Sequence, residues 1–94
     1  MAKMKVSIII PCRNEEAFIH DCVTSVLEFQ NSDVIVQEIL IIDGMSTDNT
    51  KKKINDFAGN EQKLKVLQNP DMHQAAALNI GIRKATGNYI LRLD

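Results

Sequence analysis

The chain has 94 residues, 45% of them hydrophobic and 24% charged, with a formal net charge of −1; this suits one small globular domain around a single core. Near balance of charge gives no electrostatic basis for binding nucleic acid or an acidic membrane surface. Its two cysteines, Cys12 and Cys22, are too few for a disulfide framework and lack metal-site spacing, so they read as reduced thiols of a cytoplasmic chain.

The first apolar run, Val6–Pro11, is far shorter than the roughly 20 residues a membrane span needs. Val6–Ile10 reads as a strand that Pro11 ends, because proline cannot donate to a sheet ladder. Asn14 is an N-cap candidate, and Glu15 and Glu16 put negative charge in the first helical turn, where the dipole favours it. Phe18, Ile19, Cys22, Val23, Val26 and Leu27 then recur at helical spacing, which predicts an amphipathic helix over about 15–29. Asn31–Asp33 is loop-like. Glu38–Ile42 predicts a second strand, broken at Asp43-Gly44. Ser46, Thr47 or Asp48 can cap a second helix running to about Ala58, with Gly59 as its stop. Its opening run, Lys51-Lys52-Lys53, reads as a solvated face. Leu64–Leu67 is a short third strand, and Asn69-Pro70-Asp71 has turn chemistry. Ala75, Leu78, Ile82 and Ala85 form a third helical face stopped by Gly87. Tyr89–Leu93 is the fourth strand, with Asp94 at its tip.

The order β-α-β-α-β-α-β, with strands that are continuous apolar runs, predicts an α/β fold with a Rossmann-like, doubly wound parallel sheet. Ligands of such sheets bind outside the carboxyl ends of the strands. Those ends carry Pro11–Glu16, Asp43–Thr50, Gln68–His73 and Asp94. Most of these residues have a plain structural use as well: Asn14 as a cap, Ser46 to Asp48 as a helix start, Asp71 as a turn residue, His73 as a surface or cap histidine. Asp43 and Asp94 each follow a long apolar strand, where a carboxylate is costly to desolvate without a partner. Neither G-x-G-x-x-G nor G-x-x-x-x-G-K-[ST] occurs, so glycines do not cradle a diphosphate here. An acidic edge would hold it through a divalent cation, since carboxylates and phosphates are hard oxygen ligands for Mg²⁺ or Mn²⁺.

The phrases "VSIIIPCRNEE", "EILIIDGMSTDNT", "NPDMHQAAALNIGIRKATGNYI" and "RLD" resemble, in order, the motifs of the family 2 glycosyltransferases, which have the GT-A fold. The likeness is greatest to the succinoglycan-type exopolysaccharide branch. It covers nearly the whole chain, and the chain is then expected to be the N-terminal, nucleotide-sugar-binding part of a glycosyltransferase domain.

The resemblance implies transfer of a sugar, with inversion, from a nucleotide-diphosphate-sugar (most often a UDP-sugar) to a hydroxyl of a glycan or lipid-linked acceptor. It implies that Pro11, Cys12, Asn14 and Glu15 meet the nucleoside. Asp43, followed here by Gly44 where many relatives carry a second acid, would contact the base or ribose. His73 falls near a basic nucleotide contact. Asp94 matches the first acid of the Asp-x-Asp metal motif, and so has a catalytic and metal-binding role with Mg²⁺ or Mn²⁺. In the family the general base and most acceptor contacts lie in the second half of the fold, so these residues alone are not expected to turn over. An uncovered fourth strand would favour self-association. The complete protein is expected in the cytoplasm, with the inner face of the cell membrane left open. Two rival readings are a catalytically silent nucleotide-binding or assembly module and a sugar-phosphate nucleotidyltransferase. The latter wants a glycine-rich signature that Pro11–Glu16 lacks.

Overall fold

The structure is a computed structural model that describes residues 3–93. Strands β1 (Met4–Cys12), β2 (Val34–Asp43), β3 (Leu64–Gln68) and β4 (Tyr89–Arg92) alternate with helices α1 (Ile19–Glu28), α2 (Thr50–Ala58) and α3 (Gln74–Lys84). The sheet has the order β3-β2-β1-β4, and each neighbouring pair is parallel. Alternation along the central strands divides the core. Val6, Ile8, Ile10, Ile39 and Ile41 pack under α1 and α2 with Ile19, Val23, Val26 and Ile54. Ile9, Leu40 and Ile42 pack under α3 with Ala77. Helices on both faces explain why β1 and β2 are apolar without alternation. None of the described helices is long and apolar enough to cross a membrane.

Three local expectations need correction. Pro11 does not end β1, which runs on to Cys12 with Pro11 opposite Ile42. The Ile9 carbonyl accepts from Leu93 on the β4 side, and the Cys12 carbonyl accepts from Gly44 on the β2 side. Alternation therefore turns the proline nitrogen toward the β4 side and away from β2, so the β1–β2 pairing continues past Pro11 to Cys12 while β1–β4 pairing stops at Ile9 and Arg92.

Helix α1 starts at Ile19 rather than near residue 15, and Asn14 does not cap it. The Glu15 amide donates to Thr50 Oγ1 and the Glu16 amide to Asp48 Oδ2. These bonds hold the segment against the loop after β2, and the Phe18 and Ile19 amides close a turn on the Glu15 carbonyl.

The buried face of α3 is Ala77 and Gly81, flanked by Leu78, Ile80 and Ala85. Ala75 is exposed and Ile82 is 53% exposed. Small residues let the helix lie close on β1: a Cβ at Gly81 would stand 2.7 Å from Ile9 Cδ1.

At the amino edge, opposite the loops of interest, a β-bulge leaves Gln37 extra on β2 and sets Ser7 opposite Glu38. Glu38 is 2% exposed. Ser7 Oγ donates to its Oε2 at 2.6 Å, as do the Thr86 amide at 2.5 Å and Thr86 Oγ1 at 2.9 Å. Lys65 Nζ reaches Oε1 at 3.2 Å, and the Gly87 amide donates to Ser7 Oγ at 2.8 Å. Burial alone would raise this carboxyl; the hydrogen bonds from Ser7, Thr86 and Lys65 outweigh it and hold it down at about 2. One carboxylate thus ties β1, β2, β3 and the α3–β4 connection together.

Candidate functional site

Three loops leave the carboxyl edge, and they are bonded to one another. The loop after β1 grips the loop after β2 through the Asn14 amide on Ser46 Oγ (2.9 Å) and the Thr47 amide on Asn14 Oδ1 (2.8 Å). Arg13 Nε donates to the Gly44 carbonyl at 3.0 Å, and Lys53 Nζ to the Glu16 carbonyl at 2.6 Å. The loop after β3 joins through the Asn69 amide, which donates to the Asp43 carbonyl at 2.8 Å. Each loop also holds a non-glycine residue in left-handed backbone: Asn14 (φ 55°), Met45 (φ 61°) and Met72 (φ 63°). Such residues persist only where their surroundings over-determine them, and they concentrate at ligand sites.

Of the three cap candidates for α2, Asp48 is the one bonded to the helix start. It accepts from the Thr50 amide at 2.9 Å and from Thr50 Oγ1 at 2.5 Å. The Thr50 hydroxyl bond, aided by the Thr50 and Glu16 amides, lowers its carboxyl from the ordinary value against a smaller cost of burial. Ser46 and Thr47 serve the cross-loop ladder instead.

The loops enclose a cavity of about 260 Å³. Pro11, Cys12, Arg13 and Glu15 come from β1 and its loop, Gly44 follows β2, and Asn69, Met72 and His73 follow β3. Gln74 and Ala77 of α3 complete the wall. Of the residues singled out in the sequence, Pro11, Cys12, Glu15, Gly44 and His73 therefore meet here. Asn14, which is exposed, and Asp43 do not line the cavity. Asn14 has its side-chain oxygen taken by Thr47. Asp43 is fully buried, with Oδ2 accepting from the Ser46 amide at 3.2 Å and Oδ1 from Ser46 Oγ at 2.5 Å. A ligand N–H or O–H would reach Asp43 only by displacing the Ser46 hydroxyl, so Asp43 sets the shape of the loop around Gly44. Cys12 Sγ lies 4.0 Å from Asp43 Oδ1. Burial first, then the charges of Asp43 and Glu15, push its thiol up to about 12. It is a neutral wall at physiological pH and not a nucleophile.

Asp94, the expected metal ligand, lies outside the described residues. Among the described residues, no group of three or more His, Cys, Asp and Glu side chains is disposed to hold a metal ion; those residues alone do not make a metal centre.

The turn-forming sequence around Asn69 hid a wall residue. Asn69 is 1% exposed, its Nδ2 donates to the His73 carbonyl at 2.8 Å, and its Oδ1 has no partner among the described residues. Nothing in the local sequence separates such a residue from an ordinary turn asparagine. The signal is its burial.

A model of glycosyl transferase family 2 matches residues 7–94. Chondroitin synthase from Pasteurella multocida (strain Pm70) is 38% identical over 89 residues, which is 95% of this chain and 9% of the synthase. S. aureus TarS 1-349, solved in complex with UDP-GlcNAc, matches with a TM-score of 0.76 and 27% identity, over 97% of this chain and 26% of that one. Mannosyltransferase PcManGT from Pyrobaculum calidifontis, in complex with GDP-Man and Mn²⁺, matches with a TM-score of 0.79 and 23% identity. It covers 96% of this chain and 27% of its own, and at that identity the likeness is one of fold. The chain spans a minor part of each of these proteins. The motif phrases, the sheet order and the matched span agree, and the chain belongs to glycosyl transferase family 2.

Proposed function

We propose that this chain is the nucleotide-binding part of a glycosyltransferase domain, which transfers a sugar from a nucleotide-diphosphate-sugar to an acceptor hydroxyl. The observation that carries this reading is the cavity of about 260 Å³ at the carboxyl edge of the sheet, built from three interlocked loops. UDP-sugar is the proposed donor class, supported by the TarS complex with UDP-GlcNAc. Polymer synthesis is the proposed setting, supported by the likeness to a chondroitin synthase. The acceptor is then a glycan or lipid-linked glycan, and transfer proceeds with inversion.

In this reading Pro11, Cys12, Glu15, Gly44 and His73 touch the nucleotide. Asn14 and Asp43 fix the loops that present them, and Asp43 faces the base or ribose once the Ser46 hydroxyl gives way. A divalent cation, Mg²⁺ or Mn²⁺, is assigned to Asp94 with the donor phosphates; it would stabilise charge on the leaving nucleoside diphosphate. The general base and acceptor contacts belong to residues outside this chain, so the 94-residue chain binds without turnover.

Calorimetric titration of the chain with UDP, GDP and ADP tests the reading. Saturable binding of UDP that Gly44→Trp abolishes, in a variant with an unchanged far-ultraviolet spectrum, is expected. Saturable UDP binding unaffected by Gly44→Trp would put the nucleotide elsewhere and sink the assignment.

A further inference from the structure

We infer that Asn69 is a hydrogen-bond acceptor for the bound nucleotide, and that its side-chain oxygen selects ligands carrying an N–H or O–H at that point. The inference rests on the nucleotide reading above and adds to it a specificity-determining residue whose sequence context reads as a turn.

Three of the four polar groups of Asn69 are occupied. Its amide donates to the Asp43 carbonyl at 2.8 Å, and its carbonyl accepts from the Met72 amide at 3.2 Å. Nδ2 donates to the His73 carbonyl at 2.8 Å. That last bond fixes the orientation of the carboxamide, because the flipped form would set two oxygens against each other. Oδ1 is left as the one buried side-chain nitrogen or oxygen without a partner among the described residues. Buried polar groups are nearly always paired, and an orphan is costly. Here the orphan belongs to a residue of the cavity wall that is 1% exposed, so a ligand reaches Oδ1 as the wall yields to it.

The same wall includes the first turn of α3, an 11-residue helix whose N-cap, His73, makes no side-chain cap bond. Its leading amides favour an anion. A ligand that answers both features carries negative charge at one point and a neutral donor at another. A nucleoside diphosphate does so, with its phosphates at α3 and either a ribose hydroxyl or a base N–H at Asn69. Water is the competing partner for Oδ1.

The test is the affinity of the chain for UDP, 2′-deoxy-UDP, 3′-deoxy-UDP and N3-methyl-UDP, measured on the wild type, Asn69→Ala and Asn69→Asp. One analogue should bind the wild type about tenfold more weakly than UDP, the loss typical of one hydrogen bond. Which analogue it is tells ribose from base. Asn69→Ala should bind UDP about tenfold more weakly and no longer distinguish that analogue. Asn69→Asp keeps an acceptor oxygen but not the donation to His73, and should retain the discrimination. If Asn69→Ala does not fold, the wild-type analogue series and Asn69→Asp decide. Equal wild-type affinity for UDP and every analogue would overturn the inference, as would full discrimination retained by Asn69→Ala; water would then satisfy Oδ1 while the nucleotide reading stands. Failure of UDP, GDP and ADP alike to bind the wild type would remove the nucleotide reading and this inference with it.

Discussion

Cys12 sits where a reactive thiol would matter, yet its surroundings silence it. Burial, followed by the charges of Asp43 and Glu15, pushes its thiol up to about 12, so almost none is thiolate at pH 8. A thiol reagent at pH 8 should therefore modify Cys12 much more slowly than the half-buried Cys22, at a rate that added urea accelerates. Rapid labelling of Cys12 in the native state would contradict the burial. At this scale the sequence was partly legible. Gly44 and His73 line the cavity, as their strand-end positions imply. The family likeness points to Asn14 and Asp43 as nucleotide contacts, yet neither lines the cavity. Neither position reveals that Thr47 and Ser46 already occupy them. Met45 and Met72 in left-handed backbone were invisible, because methionine has no preference for that conformation and only loop closure imposes it.

Each helix was visible as periodicity, but helix edges and faces depend on tertiary partners. Helix α3 illustrates this best. Counting large apolar residues selects Leu78 and Ile82, whereas the sheet accepts the side with the smallest residues, Ala77 and Gly81. In an isolated helix Gly81→Ala would gain about 1 kcal/mol. Here the new Cβ would stand 2.7 Å and 2.9 Å from two carbons of Ile9, which is fully buried and has nowhere to retreat. Gly81→Ala should therefore destabilise the chain by about 1–3 kcal/mol. Urea unfolding measures this, and a rise in the midpoint would refute the close packing of α3 on β1. The strands were legible because runs such as Ile8–Ile10 and Ile39–Ile42 have no other use in a chain this size. Their ends were not, since Pro11 breaks a ladder only if its nitrogen faces a partner.

For the molecule as a whole, Glu38 is the most consequential residue outside the cavity. The sequence offers it merely as the polar first residue of an apolar strand; the bulge that sets it opposite Ser7 has no local signature. Its carboxyl titrates near 4.5 when free and about 2 when folded. The stabilisation is thus complete above about pH 4.5 and is lost as the pH falls toward 2. The shift corresponds to something on the order of 3 kcal/mol. Glu38→Gln should lower unfolding stability at pH 7 by about 2–3 kcal/mol and flatten its decline in acid. Equal stability of variant and wild type at pH 7 would mean that the buried carboxylate contributes nothing.

Strand β4 leaves Tyr89, Ile90 and Leu91 about half exposed at the sheet edge. They join an apolar groove of about 530 Å³ that also includes Val6, Ile8 and Phe29. An uncovered edge of this kind pairs readily. Sedimentation should report association that grows with concentration and weakens in Ile90→Lys. A monomer at all concentrations would contradict this.

An amide-resolved NMR titration with UDP, with and without Mg²⁺, reads out whether the carboxyl edge of this sheet binds a nucleotide. Shifts should concentrate at Cys12–Glu15, Gly44 and Asn69–Gln74, stronger with Mg²⁺, with little change at Ser7, Thr86 and Gly87. A well-dispersed spectrum that UDP leaves unmoved at the cavity, or moves only at the opposite edge, would contradict it.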